Sequence, residues 1–272
     1  MPIGRGDNYG HDPRPSSFRA TDKLGGSNSA LADLFYPILS QDVAYYETKF
    51  MGETLPADLW TTVAGTGATA FAVPATPILG GAIRAATGTD ATGANRRVNL
   101  FGAPIMAGDH NCGVEVRIRL SAITSIELEV GFVDSMTNLL SSIEPVVTDP
   151  DGALTFAAGV GDAALIGLYT DETANTLLMA TKGSGALNAG ACDVFTITTL
   201  PTANEWAVFR MQLAGNTATA FVGANRQAQR VSAIEGGTLV RPWVYVGGVT
   251  ATSRNCDIAY IRYWLDYEAR QN

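Results

Sequence analysis

Charged residues are scarce in this chain, and basic residues are the scarcer kind. Charged residues make up 16% of 272 residues, with 18 lysines and arginines against 26 aspartates and glutamates, which gives a formal net charge of −8. An acidic chain without a basic cluster is not expected to bind nucleic acid. The two histidines, His11 and His110, have no partner at zinc-ligand spacing, so we expect neither a metal nor a cofactor.

Cysteine and long apolar runs are also nearly absent. The three cysteines, Cys112, Cys192 and Cys256, are odd in number and widely spaced, which indicates buried thiols in a reducing compartment rather than a disulfide framework. The amino terminus lacks the apolar core of a signal peptide. The most apolar window, Ala153–Tyr169, contains glycines and an aspartate and is not expected to span a membrane. These absences favour a protein made in the cytoplasm.

Small apolar residues, threonine and glycine dominate what is present. Hydrophobic residues reach 46%, and the 29 glycines suit β-strands joined by tight turns. Residues 1–44 show no strand period, and we interpret them as an N-terminal arm that is extended or holds one short helix. Residues 45–272 contain about sixteen strand-like segments and no helix long enough for a parallel crossover. They predict an all-β domain, an antiparallel two-sheet jelly-roll sandwich.

The clearest strand pattern spans two neighbouring segments. Val114–Leu120 and Ile126–Phe132 each alternate apolar and polar residues, the period of a β-strand. We expect the two to pair as a hairpin through the short segment between them. The register then brings two arginines opposite two glutamates, a modestly stabilising ladder: Arg119 opposite Glu127 and Arg117 opposite Glu129.

The same two glutamates are a candidate catalytic pair. Alternate positions on a strand put Glu127 and Glu129 on one face, about 7 Å apart, and glycosidases place their two carboxyl groups about 5–9.5 Å apart. The Glu-x-Asp-x-Glu run typical of laminarinase-like sandwiches is absent, since Val130 and Gly131 follow Glu129. Facing arginines would lower a carboxyl pKa, which is wrong for a general acid. We therefore interpret the pair as a charge ladder and expect no catalytic residues and no enzymatic activity.

Two other motifs are interpreted as turns. Asp149–Gly152 resembles the beginning of a calcium loop, but the later acidic ligands are missing. Gly159–Ala164 matches a loosened phosphate-binding fingerprint, but a strand pattern follows where that motif requires a helix. Neither is expected to bind a ligand.

Five residues are candidates for a contact surface. Arg5, Gly6 and Asp7 form an adhesion-type tripeptide within the predicted arm. Near the other end, alternation along the last strand directs Tyr263 inward and leaves Tyr260 and Trp264 on the opposite face. Aromatic side chains on an outer face are suited to stacking on a sugar ring or a protein partner.

Longer runs of the chain resemble a known fold. Three segments resemble concanavalin-A-like jelly rolls: Leu55–Trp60, Trp206–Val222 and Ile258–Trp264. Three others look like tailed-phage structural proteins with that fold: Leu59–Ala68, Ala86–Asp90 and Ile126–Asp134. The resemblance covers about four-fifths of the chain and leaves out the arm.

The resemblance implies a capsid decoration, or cement, protein. Such proteins sit on the outer surface of the phage head, often as trimers, and hold neighbouring capsid subunits together. The expected partners are the major capsid protein and further copies of this chain, the expected location is the virion, and residues 1–44 would lie across the lattice. Two alternatives remain open. One is a carbohydrate-binding module or tail-associated adhesin using Tyr260, Trp264 and the Arg5–Asp7 tripeptide, and the other is a glycoside hydrolase using Glu127 and Glu129.

Overall fold

Eighteen β-strands and one short 3-10 helix, Gly93–Arg96, make up the part of the chain that the computed structural model describes. That part comprises residues 43–50, 55–104, 106–107, 111–134, 145–148, 155–169, 176–183, 193–197 and 200–266. No helix within these ranges is long and apolar enough to cross a membrane. The strands are β1 (Val43–Lys49), β2 (Thr61–Ala64), β3 (Thr69–Ala72), β4 (Ile83–Ala86), β5 (Arg97–Phe101), β6 (Met106–Ala107), β7 (Cys112–Leu120), β8 (Ile126–Val133), β9 (Val147–Thr148), β10 (Thr155–Phe156), β11 (Ala163–Tyr169), β12 (Thr176–Lys182), β13 (Asp193–Ile197), β14 (Trp206–Ala214), β15 (Thr217–Val222), β16 (Asn225–Arg230), β17 (Leu239–Gly248) and β18 (Asn255–Asp266).

The predicted arm lies outside the described residues except at its last two positions, 43 and 44, which belong to β1. The boundary drawn after residue 44 stays a prediction. Cys112 and Cys256 are buried, as expected. Other residues singled out from the sequence also lie outside the described part: Arg5, Gly6, Asp7, His11, His110, Asp149–Gly152 and Cys192.

Two eight-stranded antiparallel sheets form the fold. Sheet A runs β16-β15-β14-β7-β18-β4-β3, and β1 pairs with the second half of β18. Sheet B runs β13-β12-β11-β8-β17-β5-β2, and β6 pairs with β17. A separate two-stranded ribbon consists of β9 and β10. This arrangement confirms the predicted all-β, antiparallel two-sheet sandwich.

Alternation along the strands builds the core between the two sheets. On β7, Val114 and Val116 are fully buried, whereas Arg117 is exposed. On β8, Leu128 and Val130 point into the same core from the opposite sheet. Apolar burial of this kind contributes about 25 cal/mol per Å² removed from water, so the inner faces hold the sheets together.

The segment Trp206–Val222 forms a hairpin from β14 and β15, as its two strand-like runs around Gly215 and Asn216 predict. β14 and β15 pair antiparallel up to Ala214 opposite Thr217. The two residues between them, Gly215 and Asn216, have φ angles of 53° and 67°. A two-residue turn with both φ values positive matches the right-handed twist of the strands, and glycine and asparagine adopt it at low cost.

The hairpin predicted from β7 and β8 is wrong. β7 lies in sheet A between β14 and β18, while β8 lies in sheet B between β11 and β17. The connecting residues 121–125 carry the chain from one sheet to the other, so the two apolar faces meet across the core. Trp206 is opposite Arg119, and neither Glu127 nor Glu129 faces an arginine of β7.

Sheet B carries a second apolar layer on its outer face. Val146 and Val147 pack with Ala157 against the outward side chains of β11 and β17, including Leu165 and Trp243. The β9–β10 ribbon therefore covers this face. Sheet A has no comparable apolar layer among the described residues.

Candidate functional site

Glu129 is the centre of a closed hydrogen-bond network on the outer face of sheet B. Its carboxylate accepts hydrogen bonds from the backbone N–H groups of Val146 (2.8 Å) and Val147 (2.7 Å). It also accepts from the Tyr169 hydroxyl (2.8 Å) and the Trp243 indole N–H (3.0 Å). Glu129 has 0% of its surface exposed. The network fastens the covering ribbon to the sheet.

Glu127 lies two residues earlier on β8 and is half-buried. It accepts a hydrogen bond of 2.8 Å from the Tyr245 hydroxyl. Glycines in the flanking strands make room for the tyrosine rings: a Cβ on Gly247 would meet the Tyr245 hydroxyl, and one on Gly167 would meet the ring of Tyr169. The tyrosines can therefore lie low over the sheet and reach the carboxylates.

Burial raises the pKa of Glu129 to about 7, although its four hydrogen bonds oppose that shift. The expectation that arginines would lower the pKa of this carboxyl is wrong, because the arginines lie on the other sheet. A carboxyl group with a pKa near 7 is suited to general acid catalysis at neutral pH. Substrate has no path to it in this conformation, since Val146, Val147 and the aromatic side chains enclose it.

The outer face of sheet A is not covered by any other described element, and it carries charged and aromatic side chains in register across its strands. Aromatic residues there are Trp206, Phe221, Tyr260 and Trp264, all half-exposed. Acidic residues are Glu47, Glu115 and Asp257. Basic residues are Lys49, Arg84, Arg117, Arg119, Arg210, Arg226 and Arg262.

Ion pairs hold part of this face in place. The Asp257 carboxylate accepts from Arg84 at 2.6 and 3.0 Å and from Arg119 at 2.7 and 3.0 Å. Two rows further along this face, Arg262 bonds Glu47 at 2.6 Å and Glu115 at 3.3 Å. Forked contacts between guanidinium and carboxylate groups fix the orientation of both.

Guanidinium groups also stack on the aromatic rings. Arg119 lies 4.8 Å from the ring centre of Trp206, and Arg210 lies 3.9 Å from that of Phe221. Such cation–π contacts contribute about 0.5–1 kcal/mol at exposed sites. They hold these guanidinium groups against neighbouring rings of the sheet.

Trp264 lies face-down on the sheet over Gly113. A Cβ on Gly113 would fall 2.5 Å from both Cε2 and Cη2 of the indole and still nearer to Cζ2, the atom bonded to both. An edge-on approach to Cζ2 would leave Cε2 and Cη2 much farther away, so these short distances put the added carbon over the ring face rather than at its edge. The opposite ring face of Trp264 is thus directed away from the sheet, and the side chain is half-exposed.

Tyr260 and Trp264, proposed as contact residues from the sequence, lie on this same face with Arg262 between them. Tyr263 points inward, as expected from alternation. Sequence reasoning missed Arg210, which lies on β14. The missed signal was the recurrence of charged or aromatic residues at alternate positions of β7, β14 and β18.

These features define a jelly-roll sandwich of the concanavalin-A-like class, in agreement with the predicted resemblance at the level of the fold. No protein-family model matches the chain, and no curated protein sequence matches it. The likeness is therefore structural.

Solved structures with the same fold include carbohydrate-recognising proteins. The catalytic domain of an endo-1,3-β-glucanase (laminarinase) from Thermotoga petrophila RKU-1 has a TM-score of 0.52 at 10% identity, over 81% of this chain and 96% of its own. The carbohydrate recognition domain of Emp47p has a TM-score of 0.55 at 12% identity, over 84% and 98%. A structure described with endo-acting O-glycanases of the human gut microbiota, which initiate mucin breakdown, has a TM-score of 0.54 at 9% identity, over 80% and 97%.

The expectation that the chain is not an enzyme is wrong, because enzymes are among the proteins that have this fold. Glycoside hydrolases, a laminarinase among them, share the fold. The arginine ladder that argued against catalysis by Glu127 and Glu129 is also absent. The capsid decoration role stays a prediction, together with the major capsid protein as partner, the trimer and the virion location.

Proposed function

We propose that the protein binds a glycan on the open outer face of sheet A. The observation that carries the proposal is the indole of Trp264, which lies face-down over Gly113 with its other face turned outward. Sugar rings present apolar C–H faces, and an aromatic ring parallel to the protein surface is a platform on which such a face packs. The carbohydrate recognition domain of Emp47p, which shares the fold, supports this class of function.

Polar groups beside the platform supply hydrogen bonds for sugar hydroxyls. Gln212 is the β14 partner of Gly113, and Glu115 is two residues further along β7. Arg262 and Tyr260 bracket the same region from β18 and are already oriented by Glu115. An apolar platform with a few polar groups held in place is the usual composition of a small-ligand site.

The proposal is tested on an array of neutral and acidic glycans, followed by titration calorimetry of the glycans that bind. Trp264→Ala should reduce affinity at least about tenfold. Gly113→Ala should do the same, because its methyl group displaces the indole from the sheet. Trp264→Phe should restore part of the affinity.

Leu239→Ala is the matched control, since Leu239 is 53% exposed on β17 of the other sheet. It should bind as the unmodified protein does. Full affinity of folded Trp264→Ala and Gly113→Ala variants would refute this site, and failure of the unmodified protein to bind any glycan would refute the function.

Hydrolysis of a glycan by Glu127 and Glu129 is a second candidate. It is favoured by the position of both carboxyl groups on one face of β8 and by the pKa of about 7 for Glu129. Reaction would require Val146 and Val147 to separate from Glu129.

Release of reducing ends from soluble β-1,3-glucan tests this candidate. Activity in the unmodified protein that is lost in both Glu127→Gln and Glu129→Gln would support it. Equal activity of the folded variants, or none in the unmodified protein, would rule out hydrolysis of this substrate at this site.

A further inference from the structure

The outer face of sheet A is basic although the chain as a whole is acidic. The formal net charge of the chain is −8. Among the side chains that the structure describes on this face, the seven basic residues named above stand against three acidic ones, Glu47, Glu115 and Asp257. A concentration of positive charge on one face of an acidic protein attracts an anionic partner and speeds its association.

Two of these arginines are incompletely neutralised by the protein. Arg117 is exposed and stacks on Trp206 at 5.2 Å, with no carboxylate within ion-pair distance among the described residues. Arg210 approaches Glu115 only to 3.9 Å. Arg117 on β7 and Arg210 on β14 are diagonal neighbours across these paired strands. The Cα atoms of such neighbours are about 7–8 Å apart. Two anionic groups on one ligand can therefore be bound together.

The same face carries features that suit a sugar chain better than a nucleic acid. Glu115 lies between Trp264 and Arg210, where its carboxylate can accept hydrogen bonds from sugar hydroxyls. Trp264 provides one platform, whereas Trp206 and Phe221 are already covered on one side by arginines. The arrangement places acceptors and cations around the outward ring face of Trp264.

We infer that the ligand is an acidic glycan, a polysaccharide that carries uronate or sulfate groups. The inference rests on the proposed glycan-binding function and specifies its substrate class. The hexose ring packs on Trp264, its hydroxyl groups donate to Glu115, and its anionic groups pair with Arg117 and Arg210. Arginine is suited to this role because its planar fork bonds carboxylate and sulfate oxygens in pairs.

The inference is tested with pairs of polymers whose two members differ only in charge. Polygalacturonate is compared with its methyl ester, and dextran sulfate with dextran, by affinity electrophoresis and biolayer interferometry at low salt and at 0.5 M NaCl. At least one acidic polymer should bind about tenfold or more tightly than its neutral counterpart, and the difference should shrink in salt.

Arg117→Gln and Arg210→Gln should each lower the affinity for the acidic polymer about threefold or more and leave the affinity for the neutral polymer unchanged. Arg241→Gln is the matched control, because it removes the same charge from β17 of the other sheet. Arg210→Lys keeps the charge without the planar fork and should recover only part of the affinity.

The outcomes separate this inference from the proposed function. If both members of each pair bind equally well and Trp264→Ala abolishes this binding, the inference of an acidic ligand is overturned while the glycan site stands. No binding of any polymer would overturn both. Tighter binding of a single-stranded oligonucleotide than of either acidic polymer would also overturn the inference, in favour of nucleic acid.

Discussion

The two outer faces of the sandwich combine carboxylates with aromatic rings, but only one of them leaves these groups available. On sheet B, Glu129 and Trp243 are fully buried beneath Val146, and the carboxylate is bonded entirely within the protein. On sheet A, Trp264 is half-exposed and Arg117 is exposed. The covering ribbon therefore makes the difference between a cluster that stabilises the fold and a surface that can recognise a ligand.

Among the variants that test this comparison, Glu129→Ala should cause the largest loss of stability. Two backbone N–H groups, a hydroxyl and an indole N–H would remain buried without an acceptor, at a cost of about 3–5 kcal/mol in the free energy of unfolding. Urea denaturation followed by tryptophan fluorescence measures the loss. Arg117→Gln on the open face should cost only about 0.5 kcal/mol. Comparable losses in the two variants would erase the contrast between the faces.

The pH dependence of stability gives the next largest effect. The pKa of Glu129 rises from 4.5 to about 7 on folding, so the folded protein binds this proton more tightly than the unfolded chain does. The stabilisation is complete below pH 4.5 and is lost as the pH rises through 7. Since each pKa unit is worth about 1.4 kcal/mol, the whole change amounts to about 3 kcal/mol.

The measurement compares unfolding free energies of the unmodified protein and Glu129→Gln between pH 4.5 and 8.5. The glutamine variant lacks this titration, so the stability of the unmodified protein relative to it should fall over that range. A difference that is constant, or that grows with pH, would show that Glu129 is charged throughout and that the ribbon is held by an ion.

Asp257→Asn has the smallest expected effect and sharpens the description of the open face. The side chain of Asp257 is 4% exposed, but its partners Arg84 and Arg119 are 35% and 27% exposed, so water replaces part of what is lost. The expected cost is about 1–2 kcal/mol, less than for Glu129→Ala. A loss as large as that of Glu129→Ala would mean that ion pairs on sheet A are as important to the fold as the closed network on sheet B.

Sequence patterns predicted the strands and their faces but not all of their partners. The β14–β15 hairpin was predictable because a two-residue turn leaves only one way to pair. For β7 and β8, alternation shows that each strand has an apolar face, and this holds whether the strands lie side by side or face each other across a core. The opposite charges of Arg119 and Glu127 favoured the wrong arrangement.

The Glu129 network was not predictable from local sequence for a related reason. Its side-chain donors, Tyr169 and Trp243, lie 40 and 114 residues away along the chain. Its other two donors are backbone N–H groups, which carry no sequence signature. By contrast, Tyr260 and Trp264 could be assigned to an outer face, because both lie on one strand with a regular period of two.

Glu129 holds the covering ribbon through main-chain groups, and this determines which amino acid substitutions the ribbon tolerates. The carboxylate bonds main-chain N–H groups at 146 and 147. Any amino acid with an N–H satisfies it there, so apolar side chains can be exchanged at these positions with only packing to limit the choice. Proline alone removes the donor. Nineteen of the twenty amino acids therefore preserve the hydrogen bond at either position. The sequence of the ribbon can vary, under laboratory selection or natural drift, without losing its attachment to Glu129.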